Sequence, residues 1–297
     1  MLPLRLSASA GEPLSVLAIG AHPDDIEIGA GGLLLGLAES RLRARYVVLT
    51  GTEERRQEAR DAARSFMPGA DLTAEVLDLP EGRLPGLWSS VKEILEDVAR
   101  SYAPDIIIAP SPADAHQDHR TIAEIVPTVF RDQLYLGYEI PKWDGDIGRP
   151  SMYVPLPAPI MRHKVELLNK CFPSQRGRDW WDDEVFLGLA RLRGMECRAR
   201  YAEAFACTKS VIVPAALARG NAQRLTERFA GAGRGSDLVA RPRRHGLAAR
   251  EEQRGQHGEL VVQALPASRV ARRHLVPEFR VTVLYLLERR DQPVHVR

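Results

Sequence analysis

The chain has 297 residues, 44% of them hydrophobic, with 41 Lys+Arg against 39 Asp+Glu and a formal net charge of +2. That length allows one large domain, or one domain with an appendage, and the apolar fraction is enough for a substantial core. Its composition argues against three classes: a disulfide-stapled secreted module, a membrane-spanning protein and a nucleic-acid binder.

The three cysteines, Cys171, Cys197 and Cys207, are odd in number and widely spaced, without a C-x-x-C pair. They fit reduced thiols rather than a disulfide framework or a cysteine zinc site. The start, MLPLRLSASAGEPLS, lacks the apolar core of a secretory signal. No stretch approaches the roughly 18 apolar residues of a membrane helix. A soluble, cytoplasmic protein is expected. Charge is unevenly spread: Val211–Arg297 carries 16 Arg, no Lys and 8 Asp+Glu, a balance of +8, and the rest stands at −6. This marks a change in organisation, and without aromatic interleaving or a binding motif it does not indicate nucleic acid.

In chain order, SVLAIG (15–20) is a short β-branched apolar run and IEIGAGGLLLGLAES (26–40) suits a small-residue helix packed close to a sheet. ARYVVLTG (44–51) is a second buried strand, followed by the amphipathic helix EERRQEARDAARSFM (53–67). LTAEVLDLP (72–80) is a third strand, and LWSSVKEILEDVARSY (87–102) a helix with Val91, Ile94, Leu95 and Val98 at helical spacing. PDIIIAPS (104–111) is apolar enough to lie mid-sheet, and HRTIAEIVPTVF (119–130) is helical up to a disturbance at Pro127. LYLGYEI (134–140) reads as a strand and 141–159, rich in Pro and Gly, as loop. Helices follow at 158–172 and 179–195, and YAEAFACTKSVI (201–212) closes the unit. Beyond about residue 215 periodicity fades; RVTVLYLLERR (280–290) alone suits one strand or helix. Strand–helix alternation at this spacing predicts a Rossmann-like three-layer α/β fold, a mostly parallel sheet with helices on both faces.

Two clusters carry chemistry. AHPDDIEIGAGG (21–32) follows the first strand and brings His22, Asp24, Asp25 and Glu27. ADAHQDHR (113–120) follows the fourth strand and brings Asp114, His116, Asp118 and His119. In the common doubly wound order, first and fourth strands are neighbours at the switch point where ligands bind. His22 and His119, 97 positions apart, can therefore meet. Two His and a carboxylate with one open position form a standard catalytic zinc set, although a mixed N/O site admits other divalent metals. A spare carboxylate would then take a proton from water, and a second His would stabilise an oxyanion or protonate a leaving amine.

The paired motifs AHPDDIEIGAGG and HQDH resemble those of the PIG-L (LmbE-like) zinc-dependent deacetylases, as do TGTEERRQEARDAA and YAEAF, over about residues 14–210. The resemblance implies removal of an acyl group, usually acetyl, from an amino sugar or glycoconjugate. It implies His22, Asp25 and His119 as metal ligands and Asp24 as general base. His116 would stabilise the tetrahedral intermediate or act as acid, Asp118 would orient a histidine, and Arg55 would touch substrate. It also implies a deacetylase domain over 1–214 and leaves 215–297 as an Arg-rich extension with no assigned role.

Plainer readings stand beside these. Asp24 or Asp25 can cap the next helix, and His116 and His119 can form a polar first turn. Glu27 reads as a first-turn acid. Gly29, Gly31 and Gly32 lack G-x-G-x-x-G order and fit close helix–sheet packing better than a dinucleotide loop. Trp143, Trp180, Trp181 and Tyr138 divide between a sugar-binding rim and ordinary packing, with packing expected for at least half; His163 is expected at the surface. Rival functions are a zinc amidase acting on another conjugate, such as a mycothiol-type thioether or natural product, and a non-catalytic metal- or sugar-binding relative. Asp24 argues against the latter, because binding alone needs no base.

Overall fold

The computed structural model describes residues 3–6 and 12–213. The expectations for 215–297, the 280–290 segment included, lie outside the described residues. The elements are β1 (Leu14–Gly20), α1 (Asp25–Ala38), β2 (Leu42–Thr50), α2 (Glu53–Phe66), β3 (Asp71–Leu79), α3 (Trp88–Ser101), β4 (Ile106–Pro110) and α4 (Gln117–Val129). After them come β5 (Leu134–Tyr138), β6 (Met152–Leu156), α5 (Ala158–Cys171), α6 (Asp183–Cys197) and β7 (Tyr201–Ala206).

They build a mostly parallel seven-stranded sheet in the order β3-β2-β1-β4-β5-β7-β6. β1 pairs in parallel with β2 on one side and with β4 on the other, Val16 opposite Ile106 and Ala18 opposite Ile108. The expected switch point is therefore present.

Side-chain alternation explains the continuous apolar runs. Val16 and Ala18 of β1 join Ile106 and Ile108 of β4 in a core beneath α1, α2, α5 and α6. Leu17 and Ile19 join Ile107 and Ala109 in a second core beneath α3 and α4. A strand covered on both faces must be apolar at every position.

The sheet departs from expectation at one edge. Within the segment read as loop, Met152–Leu156 forms β6, antiparallel to β7, which in turn runs antiparallel to β5. Pro150, Pro155 and Pro157 hid it, because proline reads as a break. An edge strand has one side free of ladder bonds and tolerates proline there. α4 runs through Pro127 to Val129.

The small residues of α1 act through packing. A Cβ on Gly29 would lie 2.6 Å from the Tyr138 ring, on Gly31 2.6 Å from Phe66, and on Gly32 2.4 Å from Leu156. Gly29→Ala is expected to cost about 1–3 kcal/mol through overpacking. Thermal denaturation followed by circular dichroism should show a melting temperature roughly 2–12 °C lower. An unchanged melting temperature would mean that Tyr138 moves aside freely.

The YAEAF segment is tied to the same helix. Glu203, on β7, accepts the N–H groups of Gly32 (2.6 Å) and Leu33 (2.7 Å). Lys164 Nζ donates to Glu203 Oε1 at 2.7 Å and to the Ile28 carbonyl at 2.6 Å. Both side chains are buried, and this pairing is what makes their burial tolerable.

Among the described residues, no helix is long and apolar enough to cross a membrane.

Candidate metal centre and catalytic cleft

α1 and α4 leave opposite faces of the sheet at the C-terminal ends of β1 and β4, and their first turns face each other across the crevice between them. Ala21, just past β1, is pinned by Thr50, whose N–H and hydroxyl both donate to the Ala21 carbonyl (3.0 and 2.7 Å). The chain then turns through Asp24, whose φ of 103° is left-handed. Asp and Asn are the non-glycine residues most often found in that region. Asp24 occupies the N-cap position of α1, yet its side chain makes no capping bond. The plain capping reading therefore fails for Asp24.

His22 Nδ1, Asp25 Oδ2 and His119 Nε2 form a small triangle. His119 Nε2 lies 3.2 Å from His22 Nδ1 and 3.2 Å from Asp25 Oδ2, and His22 Nδ1 lies 3.5 Å from Asp25 Oδ2. Ligands held about 2.0–2.2 Å from one tetrahedral ion stand roughly 3.3–3.6 Å apart, so these edges fit a single small cation. His22, His116 and His119 also offer ligand atoms, all within 4.8 Å of one another. His116 is the looser member: its Nδ1 accepts the Asp118 N–H at 3.3 Å, leaving only Nε2 for the cleft.

Each imidazole of the triangle is held through its other nitrogen. Asp118 Oδ2 lies 3.1 Å from His22 Nε2, and Asp118 is itself fixed by the N–H groups of Gly82 (2.6 Å) and Leu84 (3.0 Å). Asp114 Oδ2 lies 2.8 Å from His119 Nδ1. Carboxylates in this position fix ring orientation and tautomer and raise the basicity of the facing nitrogen. His22 thus presents Nδ1, and His119 presents Nε2.

The electrostatics favour a positive occupant. Burial disfavours charge on His22, but Asp25 and Asp118 outweigh it and hold that ring at about 10. His119 is likewise depressed by burial and raised on balance to about 9 by Asp25 and Asp114. Burial would raise Asp25, yet the two histidines hold it well below the ordinary carboxylate range. Burial and the neighbouring His119 and His22 charges lower His116. Two imidazole nitrogens and one carboxylate oxygen, buried and backed by further carboxylates, suit a divalent cation.

Asp24 is a different kind of acid. Burial pushes its carboxyl up from the ordinary range, against the pull of Arg55. Arg55 Nη2 donates to Asp24 Oδ2 (3.3 Å) and to the Pro23 carbonyl (2.9 Å), and its Nη1 bonds Glu81 (3.2 Å). Arg55, expected to touch substrate, thus lies on the cleft wall already engaged with the acid expected to act as base. The cleft measures about 200 Å³ and is lined by Asp24, His116, Arg55, Trp143, Arg178 and Trp180 among others.

Of the four aromatic candidates, Trp143 and Trp180 line this cleft. Trp181 packs against Phe172 and Phe186, and Tyr138 is buried with its hydroxyl on the Ile19 carbonyl (3.0 Å). His163 is exposed beside Glu166. Glu27 is fully buried. It faces Tyr46, and burial raises it to about 8. Sequence reasoning noticed Asp114 without a task for it, though its position five residues before His119, across a helix start, was a usable signal. Glu81 and Lys142 carried no local signal.

The family model described as PIG-L: GlcNAc-PI de-N-acetylase matches residues 17–130. A protein of Escherichia coli strain K12 named as an uncharacterised deacetylase, YaiS, is 32% identical over 154 residues, which span 48% of this chain and 82% of the relative. The chain belongs to the PIG-L family. A second relative, the diacetylchitobiose deacetylase of Thermococcus kodakarensis, is 29% identical over 234 residues, 67% of this chain and 86% of that protein. The crystal structure of the conserved protein TT1542 from Thermus thermophilus shares the PIG-L fold seen here. Its TM-score is 0.53 at 23% identity, over 68% of this chain and 97% of that one.

Proposed function

We propose that this PIG-L protein is a metal-dependent N-deacetylase that hydrolyses the amide of an acylated amino sugar or amino-sugar conjugate to a free amine and acetate. The observation that carries the reading is the triangle of His22 Nδ1, Asp25 Oδ2 and His119 Nε2, with a further acid, Asp24, beside Arg55 in the same cleft. These three residues are assigned as metal ligands. Zinc is the favoured ion, with other divalent metals chemically admissible. When bound, zinc would polarise the acyl oxygen and bring the pKa of a water down to about 7.

The remaining work belongs to the protein. Asp24 is assigned as the base that takes the proton of the attacking water. Arg55, itself bonded to the Pro23 carbonyl, donates to Asp24 Oδ2 and holds that carboxylate at the cleft wall. His116 accepts a backbone N–H at Nδ1, so in its neutral form the proton sits on Nε2. That N–H can donate to the oxyanion as the amide carbon becomes tetrahedral. Of the two roles the family resemblance implied for His116, this tautomer favours oxyanion stabilisation; the proton that Asp24 takes from water would then pass to the leaving nitrogen as the C–N bond breaks. Asp118 and Asp114 hold the rings of His22 and His119 in register.

An acetylated amino-sugar substrate is supported by the relative named as a diacetylchitobiose deacetylase and by Trp143 and Trp180 at the cleft, since aromatic faces suit sugar C–H surfaces. All residues used here lie between His22 and Trp180, inside the expected 1–214 domain. The free cysteines at 171, 197 and 207 are compatible with a cytoplasmic setting.

The test is direct. Zinc-loaded protein is incubated with N-acetylglucosamine, diacetylchitobiose and larger N-acetylated glycosides, and acetate and free amine are measured. Equal release of both from at least one of them is expected. A fully metallated protein that releases neither from any of them would sink the substrate class.

A further inference from the structure

We propose that Lys142 is a positioning residue that ties the loop at the mouth of the cleft to the ligand geometry of His119. This rests on the reading of His119 as a metal ligand.

Lys142 lies in the segment 139–151 between β5 and β6, and its side chain is only 13% exposed. Its Nζ contacts Asp146 Oδ2 at 2.5 Å and Asp114 Oδ1 at 3.1 Å. The other oxygen of Asp114 holds His119 Nδ1 at 2.8 Å. Asp146 Oδ2 also accepts the Ala115 N–H at 2.7 Å, so the loop is fastened twice to the start of α4. A continuous chain of charged contacts thus runs from the loop, through Lys142 and Asp114, to the ring that presents Nε2 to the metal position.

Two consequences follow from ordinary electrostatics. An ammonium on one oxygen of Asp114 keeps that carboxylate ionised and in place, so that its other oxygen holds His119 with Nε2 turned to the metal position. It also pins the carboxylate plane, and with it the imidazole plane. The same loop carries Trp143, 72% exposed, to the cleft. Whatever binds against Trp143 therefore bears on a loop whose anchor is also the anchor of a metal ligand. No other lysine or arginine is recorded in contact with Asp114 among the described residues.

The experiment reads zinc affinity alone, by competition of apo protein with a chromophoric chelator, and needs no substrate. Lys142→Met is expected to weaken zinc binding by about 10-fold, the low end of the range seen when direct partners of metal ligands are removed, because Lys142 acts one contact further out, through Asp114. Lys142→Arg should restore most of it. Asp146→Ala, which cuts the loop side of the tie without touching Asp114 or any ligand, should weaken zinc in the same direction. Melting of each apo variant reports folding separately; if Lys142→Met does not fold, Lys142→Gln carries the same comparison. Folded Lys142 variants with wild-type zinc affinity would overturn the proposal, even if their melting temperatures fall. Wild-type affinity in Asp146→Ala would overturn the loop coupling. A wild-type protein that binds no zinc would overturn the metal site itself, and this inference with it.

Discussion

Asp24→Asn is expected to keep its metal and lose turnover, with kcat lower by roughly 10²–10⁴, the usual contribution of a positioned general base. The substitution isolates the proton-accepting function. Asn has the same shape as Asp and also tolerates the left-handed region, so the turn at φ 103° should persist. The amide can still accept from Arg55, whose bond to Asp24 Oδ2 is 3.3 Å. What it cannot do is take a proton from water at neutral pH. Metal content by elemental analysis and kcat by acetate release together decide the matter. Loss of metal would make Asp24 a ligand, contrary to its assignment, and wild-type kcat would place the base elsewhere.

Removing the metal should abolish acetate release, and His119→Ala should do so irreversibly. In the wild type, chelation should reduce the rate to background, and about one equivalent of zinc should restore it. In His119→Ala one corner of the triangle is gone, leaving Asp25 and Asp114 facing a space where a ligand stood. Added zinc should then fail to restore the rate. A physical readout accompanies the kinetic one. An ion that binds only the folded state stabilises it by about 2.7 kcal/mol at a free concentration of 100 Kd. For a chain of this size that is roughly 5–11 °C of melting temperature. The shift should appear in the wild type and be largely lost in His119→Ala. Full activity in the chelated wild type would show that the reaction does not run through this site.

Much of this was legible in the residue string, because the signals were local. SVLAIG and PDIIIAPS read as doubly covered strands, and each lies between two layers of helices. Both acid–histidine clusters were visible at strand ends, and the α/β switch-point rule was enough to expect His22 and His119 together. They lie 3.2 Å apart, nitrogen to nitrogen, across 97 positions of chain. The glycines of α1 were legible as close packing for the same reason, since a helix that must approach a sheet closely announces it in its small residues.

What was not legible is what depends on partners distant in sequence. β6 is a strand only because β7 lies beside it, and nothing in a proline-rich stretch announces that neighbour. Lys142 and Glu81 gain meaning from contacts to Asp114 and Arg55, which local pattern cannot encode. Glu27 looked like an ordinary first-turn acid, whereas the fold encloses it completely.

Asp24 and Asp25 show the division most sharply. The sequence by itself determined that two adjacent acids would follow a buried strand and face a second histidine cluster. The family resemblance implied different roles for them, and the tertiary structure supplies the physical reason. A left-handed turn at Asp24 leaves its carboxylate beside Arg55, and the first turn of α1 swings Asp25 between His22 and His119. Which of two identical side chains lies between two histidines and which lies beside an arginine is decided by backbone direction, and that does not exist until the chain has folded.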